Sequence, residues 1–177
     1  MSTKQMLLSG FGGQGILFAG KFLAYKGLTD GKQVSWLPSY GPEMRGGTAS
    51  CSVIISDDAV GSPIISNPDI LVAMNLPSLD KFEKSVVSGG IILADSTLIE
   101  RKVERDDVTV YYVPATRLAS ENGFPTLANM ILMGKLLETL GDFDAEALKA
   151  TLSKIIPPKR AEMLDVNLKA LQLGAEF

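Results

Sequence analysis

Met6-Leu7-Leu8-Ser9-Gly10-Phe11-Gly12-Gly13-Gln14-Gly15-Ile16 decides the fold. Met6 to Ser9 is a short apolar run ending on glycine, the pattern of a buried strand in a parallel sheet. Ile16 to Tyr25 follows at helix length, apolar on nearly every face, with Lys21 and then Lys26 as its charges. Such a helix is buried on more than one side. Gly10, Gly12 and Gly15 satisfy G-x-G-x-x-G, and Gly13 adds a further glycine. Glycines admit positive φ and carry no Cβ, so backbone N–H groups at a helix start can approach an anion. The strand before and the helix after give the motif its proper setting.

The rest of a dinucleotide fingerprint is missing. An acidic residue about 20 positions on, at the end of the second strand, would hold a ribose hydroxyl. That strand, Gln33 to Leu37, ends Ser35-Trp36-Leu37-Pro38, and Asp30 lies in the turn before it. NAD or FAD is therefore the lesser expectation. Three readings of the turn stand open: tight strand–helix packing alone, an anionic ligand, or a partner chain.

The 177 residues suit one domain, 1–177, and composition narrows its chemistry. Hydrophobic residues make up 46% and charged residues 21%, ordinary globular values. A formal charge of −3 and no Lys/Arg cluster argue against nucleic-acid binding. Cys51 is the only cysteine and histidine is absent. That removes cluster and structural zinc ligation, as well as Ser-His-Asp and Cys-His catalysis, so no catalytic or metal residue is assigned. No run approaches the roughly 18 apolar residues of a membrane span, and no targeting segment is visible. The chain is expected to be cytoplasmic, with no membrane partner.

Further strands are expected at Ala49 to Ile55, Ile70 to Met74, Ile91 to Ala94 and Val108 to Val113, with a short returning strand at Val60 to Ile65. Ser78 to Val87 reads as helical. The last third turns to helical spacing: Leu127 to Leu137 with Gly141 as C-cap, Asp144 capping Ala145 to Lys154, then Arg160 to Leu173 after Pro157-Pro158. The fold expected is α/β, a Rossmann-like three-layer domain with a mostly parallel sheet. It opens with strand, glycine turn and helix, and closes with a helical segment.

Ser39-Tyr40-Gly41-Pro42-Glu43-Met44-Arg45-Gly46-Gly47 leaves the carboxyl end of the second strand, at the same edge as the glycine turn. Ligands of open α/β sheets bind outside that edge. Arg45 before two glycines could offer a guanidinium beside free amides, suited to phosphate or carboxylate. Glu43 could instead pair with Arg45 and brace the loop, and Trp36, Tyr40 and Met44 could form an apolar interface patch. Asn75, Asp95 and Pro114-Ala115-Thr116 follow strands at the same rim. Capping is the favoured role for Asp95 and for Asn75, with contact to a ligand or partner as the other. Cys51, in mid-strand, reads as a small buried residue.

Gly10-Phe11-Gly12-Gly13-Gln14-Gly15-Ile16 and Ser39 to Gly47 together resemble the gamma subunit of 2-oxoacid:ferredoxin oxidoreductases, in the pyruvate/ketoisovalerate oxidoreductase catalytic domain family. The likeness continues through Ser50-Cys51-Ser52-Val53-Ile54-Ile55-Ser56, Pro68-Asp69-Ile70-Leu71-Val72-Ala73-Met74-Asn75, Asn122-Gly123 and Asn129-Met130, essentially the whole chain. Met44-Arg45-Gly46-Gly47-Thr48 is more like the 2-oxoglutarate branch, with 2-oxoisovalerate next, than the pyruvate branch.

The resemblance implies an accessory chain, not catalytic alone, in a complex that cleaves a 2-oxoacid with coenzyme A to acyl-CoA, CO2 and reduced ferredoxin. It implies alpha and beta catalytic subunits, a ferredoxin-like delta subunit, and ferredoxin as acceptor. Thiamine diphosphate, Mg and iron–sulfur clusters would sit on or with those other subunits, and this chain alone would bind none of them. Candidate contacts to coenzyme A or a partner are Gly10, Gly12, Gly13, Gln14, Gly15, Ser39, Tyr40, Gly41, Glu43, Arg45, Gly46, Gly47 and Asn75. The alternative is a stand-alone nucleotide-binding Rossmann-like protein. An isolated chain could also dimerise through surface meant for its partners.

Overall fold

The computed structural model describes residues 2–39 and 48–177. Strand β1 (Thr3–Phe11) runs into α1 (Ile16–Thr29), and then come β2 (Gln33–Ser39), β3 (Thr48–Ser56) and β4 (Ile70–Ala73). Helix α2 (Leu76–Phe82) continues into a 3₁₀ turn, Glu83–Ser85, and is followed by β5 (Ile91–Asp95) and β6 (Thr109–Val113). The remainder is helical: α3 (Ala115–Glu121), α4 (Ala128–Thr139), α5 (Ala145–Ile155) and α6 (Glu162–Glu176).

The strands form one six-stranded sheet in the order β2-β3-β1-β4-β5-β6. β1, β4, β5 and β6 are parallel, whereas β3 is antiparallel to both β1 and β2. The sheet is thus mixed, with β3 the reversed member of an otherwise parallel set. Its orientation follows from chain length: residues 40–47 are too few for the crossover of about a dozen residues that a parallel return needs.

One face of the sheet, through Met6, Leu8, Cys51, Val53, Ile70, Val72 and Leu93, packs on the helical layer of α1, α4, α5 and α6. The other face, through Leu7, Leu71, Ala73, Ile92 and Ala94, packs on Leu79, Val86 and Ile99. Three layers result. α1 is buried along Ile16, Ala19, Gly20, Phe22, Leu23 and Gly27, as its all-round apolar sequence requires. Lys26, also buried, pairs with Asp30. Arg101 ties the β5–β6 connection to Asp80 and to the buried Glu83, each at 2.7 Å.

Two expectations need correction. Val60 to Ile65 is not a strand. Gly61 and Pro63 interrupt it, and Val60 and Ile64 line a cavity with Thr3, Gln5 and Ile54 instead of joining an edge. Pro114-Ala115-Thr116, read as a turn after the last strand, instead opens α3 over residues 115–121.

Candidate functional site

β1, β2, β4, β5 and β6 all end at one edge of the sheet, because the two antiparallel steps through β3 return β2 to the direction of β1. Register fixes the neighbours there. Ser39 pairs with Ser50, which pairs with Ser9, and Thr48 pairs with Phe11. Both ends of the 40–47 segment are therefore anchored beside the glycine turn. Tyr40, Gly41, Glu43, Arg45, Gly46 and Gly47 lie outside the described residues; Gly10, Gly12, Gly13, Gln14, Gly15, Ser39 and Asn75 gather at this rim.

The turn is built by local hydrogen bonds. Gln14 N donates to Phe11 O at 3.2 Å, and Ala19 N donates to Gly15 O at 3.0 Å to start α1. Gly13 and Gly15 have φ of 91° and 75°, values that a residue with a Cβ adopts only with strain. Gln14 folds its side chain across the turn, with Oε1 accepting from Phe11 N at 2.6 Å and Nε2 donating to Met74 O at 3.1 Å. A Cβ on Gly10 would stand 2.5 Å from that Oε1. A Cβ on Gly15 would crowd the Asn129 amide, with Cγ at 3.0 Å, and Asn129 Nδ2 donates to Gly15 O at 3.0 Å. Packing therefore accounts for Gly10 and Gly15.

The first turn of α1 has no side-chain cap and no acidic residue, so no capping side chain satisfies its leading N–H groups at the positive end of the helix dipole. Phe11, Gly12, Gly13, Gly15, Ile16, Leu17, Phe18 and Ala49 line a concavity of about 280 Å³ there. None of those residues is ionisable. A second cavity of about 230 Å³ opens from Gly15 and Phe18 toward Leu127, Asn129, Arg160 and Met163. The rim offers amide donors and apolar walls, which suit it to binding and positioning.

The polar rim residues sort by their contacts. Buried Asn75 caps α2, its Oδ1 accepting from Ser78 N at 2.8 Å, while its Nδ2 has no partner among the described residues. Ser78 Oγ lies 2.9 Å from Ser9 Oγ, joining α2 to β1. Asp95, fully buried, accepts from Thr97 N at 3.0 Å, Thr116 N at 3.1 Å and Thr116 Oγ1 at 2.5 Å. It thereby serves the start of α3 from a different strand. Cys51 is buried beneath α1, and burial pushes its thiol up to about 12.

Two features were missed from sequence. Asn129 reaches the glycine turn from 114 residues away, beyond any local signal. Phe11 and Leu76 keep 41% and 38% of their surface at the rim, an apolar flank suited to another chain; their places at or beyond the carboxyl ends of strands were the available clue. Among the described residues no group of three or more His, Cys, Asp or Glu side chains could hold a metal ion, and no helix is long and apolar enough to cross a membrane.

The ketoisovalerate oxidoreductase subunit VorA of Methanothermobacter thermautotrophicus is 42% identical over 96% of this chain, which spans 35% of that relative's length. The 2-oxoglutarate synthase subunit KorC of Methanocaldococcus jannaschii is 37% identical, over 98% of this chain and 92% of its own. Among solved structures, the keto/oxoacid ferredoxin oxidoreductase gamma subunit of Geobacter sulfurreducens superposes with a TM-score of 0.83 at 30% identity, covering 98% of this chain and 96% of that one. The 2-oxoglutarate:ferredoxin oxidoreductase of Magnetococcus marinus, solved with 2-oxoglutarate, coenzyme A and succinyl-CoA bound, gives 0.88 at 25% identity; the match covers 99% of this chain and 31% of that one. Residues 5–177 match the model of the pyruvate ferredoxin/flavodoxin oxidoreductase family, and the chain belongs to that family.

Proposed function

We propose that this chain is the gamma subunit of a heteromeric 2-oxoacid:ferredoxin oxidoreductase, and that its rim meets coenzyme A and the catalytic alpha and beta chains. The observation that carries this reading is the convergence of the glycine turn, both anchors of the 40–47 segment and Asn75 on one sheet edge. N–H groups at the start of α1 that no side chain caps suit a phosphate, and exposed Phe11 and Leu76 suit a protein surface. Coenzyme A supplies the thiol that takes up the acyl group; this chain binds and orients. With no histidine and a single buried cysteine, its residues do not fit a cluster. Thiamine diphosphate, Mg and the clusters belong to the partner chains, a ferredoxin-like delta subunit among them.

The end-to-end likeness to KorC supports 2-oxoglutarate as substrate, and the likeness to VorA, higher in identity over a third of that relative's length, supports 2-oxoisovalerate as the other candidate. A stand-alone nucleotide-binding protein is disfavoured, since β2 ends on Ser39 without a carboxylate for a ribose. Coexpression with alpha and beta chains tests the assignment. Omitting this chain should abolish assembly or acyl-CoA formation, and both persisting without it would refute it. Arg45→Ala should raise the coenzyme A requirement; an unchanged requirement leaves only a scaffolding role.

A further inference from the structure

The glycine turn is gripped by one of its own side chains. The Gln14 amide accepts from the Phe11 N–H and donates to Met74 O, while the Gln14 N–H donates to Phe11 O. Residue 11 is thus held through both its N–H and its carbonyl. Gly10 leaves the space through which the side chain passes. Met74 lies between β4 and the cap of α2, and its own N–H donates to Ser9 O at 2.8 Å. One amide therefore joins the β1–α1 turn to the β4–α2 turn.

We infer that Gln14 is a positioning residue: it does not contact the ligand but holds the two rim turns together, so that the Gly12 and Gly13 N–H groups keep one direction. The inference rests on the reading that this rim meets coenzyme A. Its chemistry is specific. The side chain must accept at one end and donate at the other, at the length of a glutamine. Alanine does neither. An ionised glutamate still accepts from Phe11 N but has no proton for Met74 O, and a protonated one regains it.

The assembled complex carrying Gln14→Ala should show a KM for coenzyme A raised about tenfold, the effect of leaving a partly buried pair unmade. Its kcat and its KM for the 2-oxoacid should stay within about twofold. Gln14→Glu should show the raised KM at neutral pH and recover toward the wild-type value as the pH is lowered and the carboxyl protonates. The wild type should show no such recovery. A merely structural role would move melting temperature without this pH-dependent rescue, and its absence would overturn the inference. Amide hydrogen exchange in the full chain gives a readout independent of coenzyme A. The Phe11 amide should exchange about tenfold faster in Gln14→Ala and stay protected in Gln14→Glu. Unchanged exchange at Phe11 overturns the inference. An unchanged coenzyme A KM in Gln14→Ala, while Arg45→Ala still raises it, also overturns it and leaves the rim reading standing. If neither variant moves that KM but Phe11 exchange accelerates, Gln14 holds the turn and coenzyme A binds elsewhere.

Discussion

Two of the close approaches that glycine permits in this chain differ in kind, the crossing of α4 and α6 and the turn between β1 and α1. At the crossing the obstacle is backbone. A Cβ on Gly134 would lie 2.7 Å from the Leu171 carbonyl carbon and closer still to its oxygen, and one on Gly174 would stand in the same relation to Ile131. At the turn the obstacles are the ends of side chains, Gln14 Oε1 above Gly10 and the Asn129 amide above Gly15. The core glycines set the distance between two helices. The rim glycines instead make room for amides that shape the turn, so G-x-G-x-x-G here is partly a packing motif.

The comparison predicts its largest effect at the crossing. Gly134→Ala or Gly174→Ala should destabilise by about 3 kcal/mol, the upper range for overpacking a filled core, because a helix must move to relieve the clash. For a domain of this size that is a fall in Tm of roughly 6–12 °C. Urea unfolding measures it. A loss under about 1 kcal/mol would show that the helices slide apart easily, and the distinction between the two sites would collapse.

The same contrast explains what could be read from sequence. β1, α1, the Asp144 cap of α5 and the positive-φ Gly141 after α4 carry local signals, and each stands as expected. α3 carries such a signal only at its end, where Gly123 has a φ of 80°; at its start Pro114 makes no side-chain cap, and Asp95 supplies acceptors from β5. The segment 60–65 has strand-like residues but no strand to pair with, and Ile64 is left 69% exposed. At the rim, the positions of Gly10 to Gly15, Ser39 and Asn75 at one edge were legible from strand order alone. The reasons for Gly10 and Gly15 were not, since their obstacles come from a folded-back side chain and from a helix far along the chain.

Gly10→Ala should cost less, about 1–2 kcal/mol, because the Gln14 amide can be displaced. The sharper test is a double-mutant cycle. Placed on Gln14→Ala, where that amide is gone, Gly10→Ala should lose about 1 kcal/mol less than it does alone. The remaining 3.0 Å approaches to Ile16 Cδ1 and Met74 Cβ keep the rescue incomplete. Leu171→Ala should give no comparable rescue of Gly134→Ala, since the obstacle there is a carbonyl. Equal coupling in both cycles would erase the difference between rim and core. Gly13→Ala isolates backbone strain: nothing lies within 4 Å of its missing Cβ, but φ is 91°. A loss of about 1 kcal/mol is expected from conformation alone, and one near 3 would reveal an unrecognised neighbour.

Gly20 falls between the two cases, a buried helix position whose obstacles are side-chain atoms. A Cβ there would meet Cys51 Sγ, with Trp36 Nε1 at 3.0 Å, so α1 presses directly on the thiol. That close cover is why burial pushes the Cys51 thiol up to about 12 from an ordinary value near 9.0. Below about pH 9 the thiol is neutral in both folded and unfolded chains and contributes no pH dependence. As pH rises from about 9 toward about 12 the unfolded chain releases the proton while the folded chain keeps it, so stability falls across that window. Between about pH 9 and 10 the wild type should lose about 1 kcal/mol more than Cys51→Ala, read from urea midpoints at each pH. A disulfide reagent should leave the native thiol unmodified at neutral pH and react once urea unfolds the chain. Identical alkaline limbs in the two proteins would mean that solvent reaches Cys51 beneath Gly20, and that this contact is as yielding as the side-chain contacts of the rim.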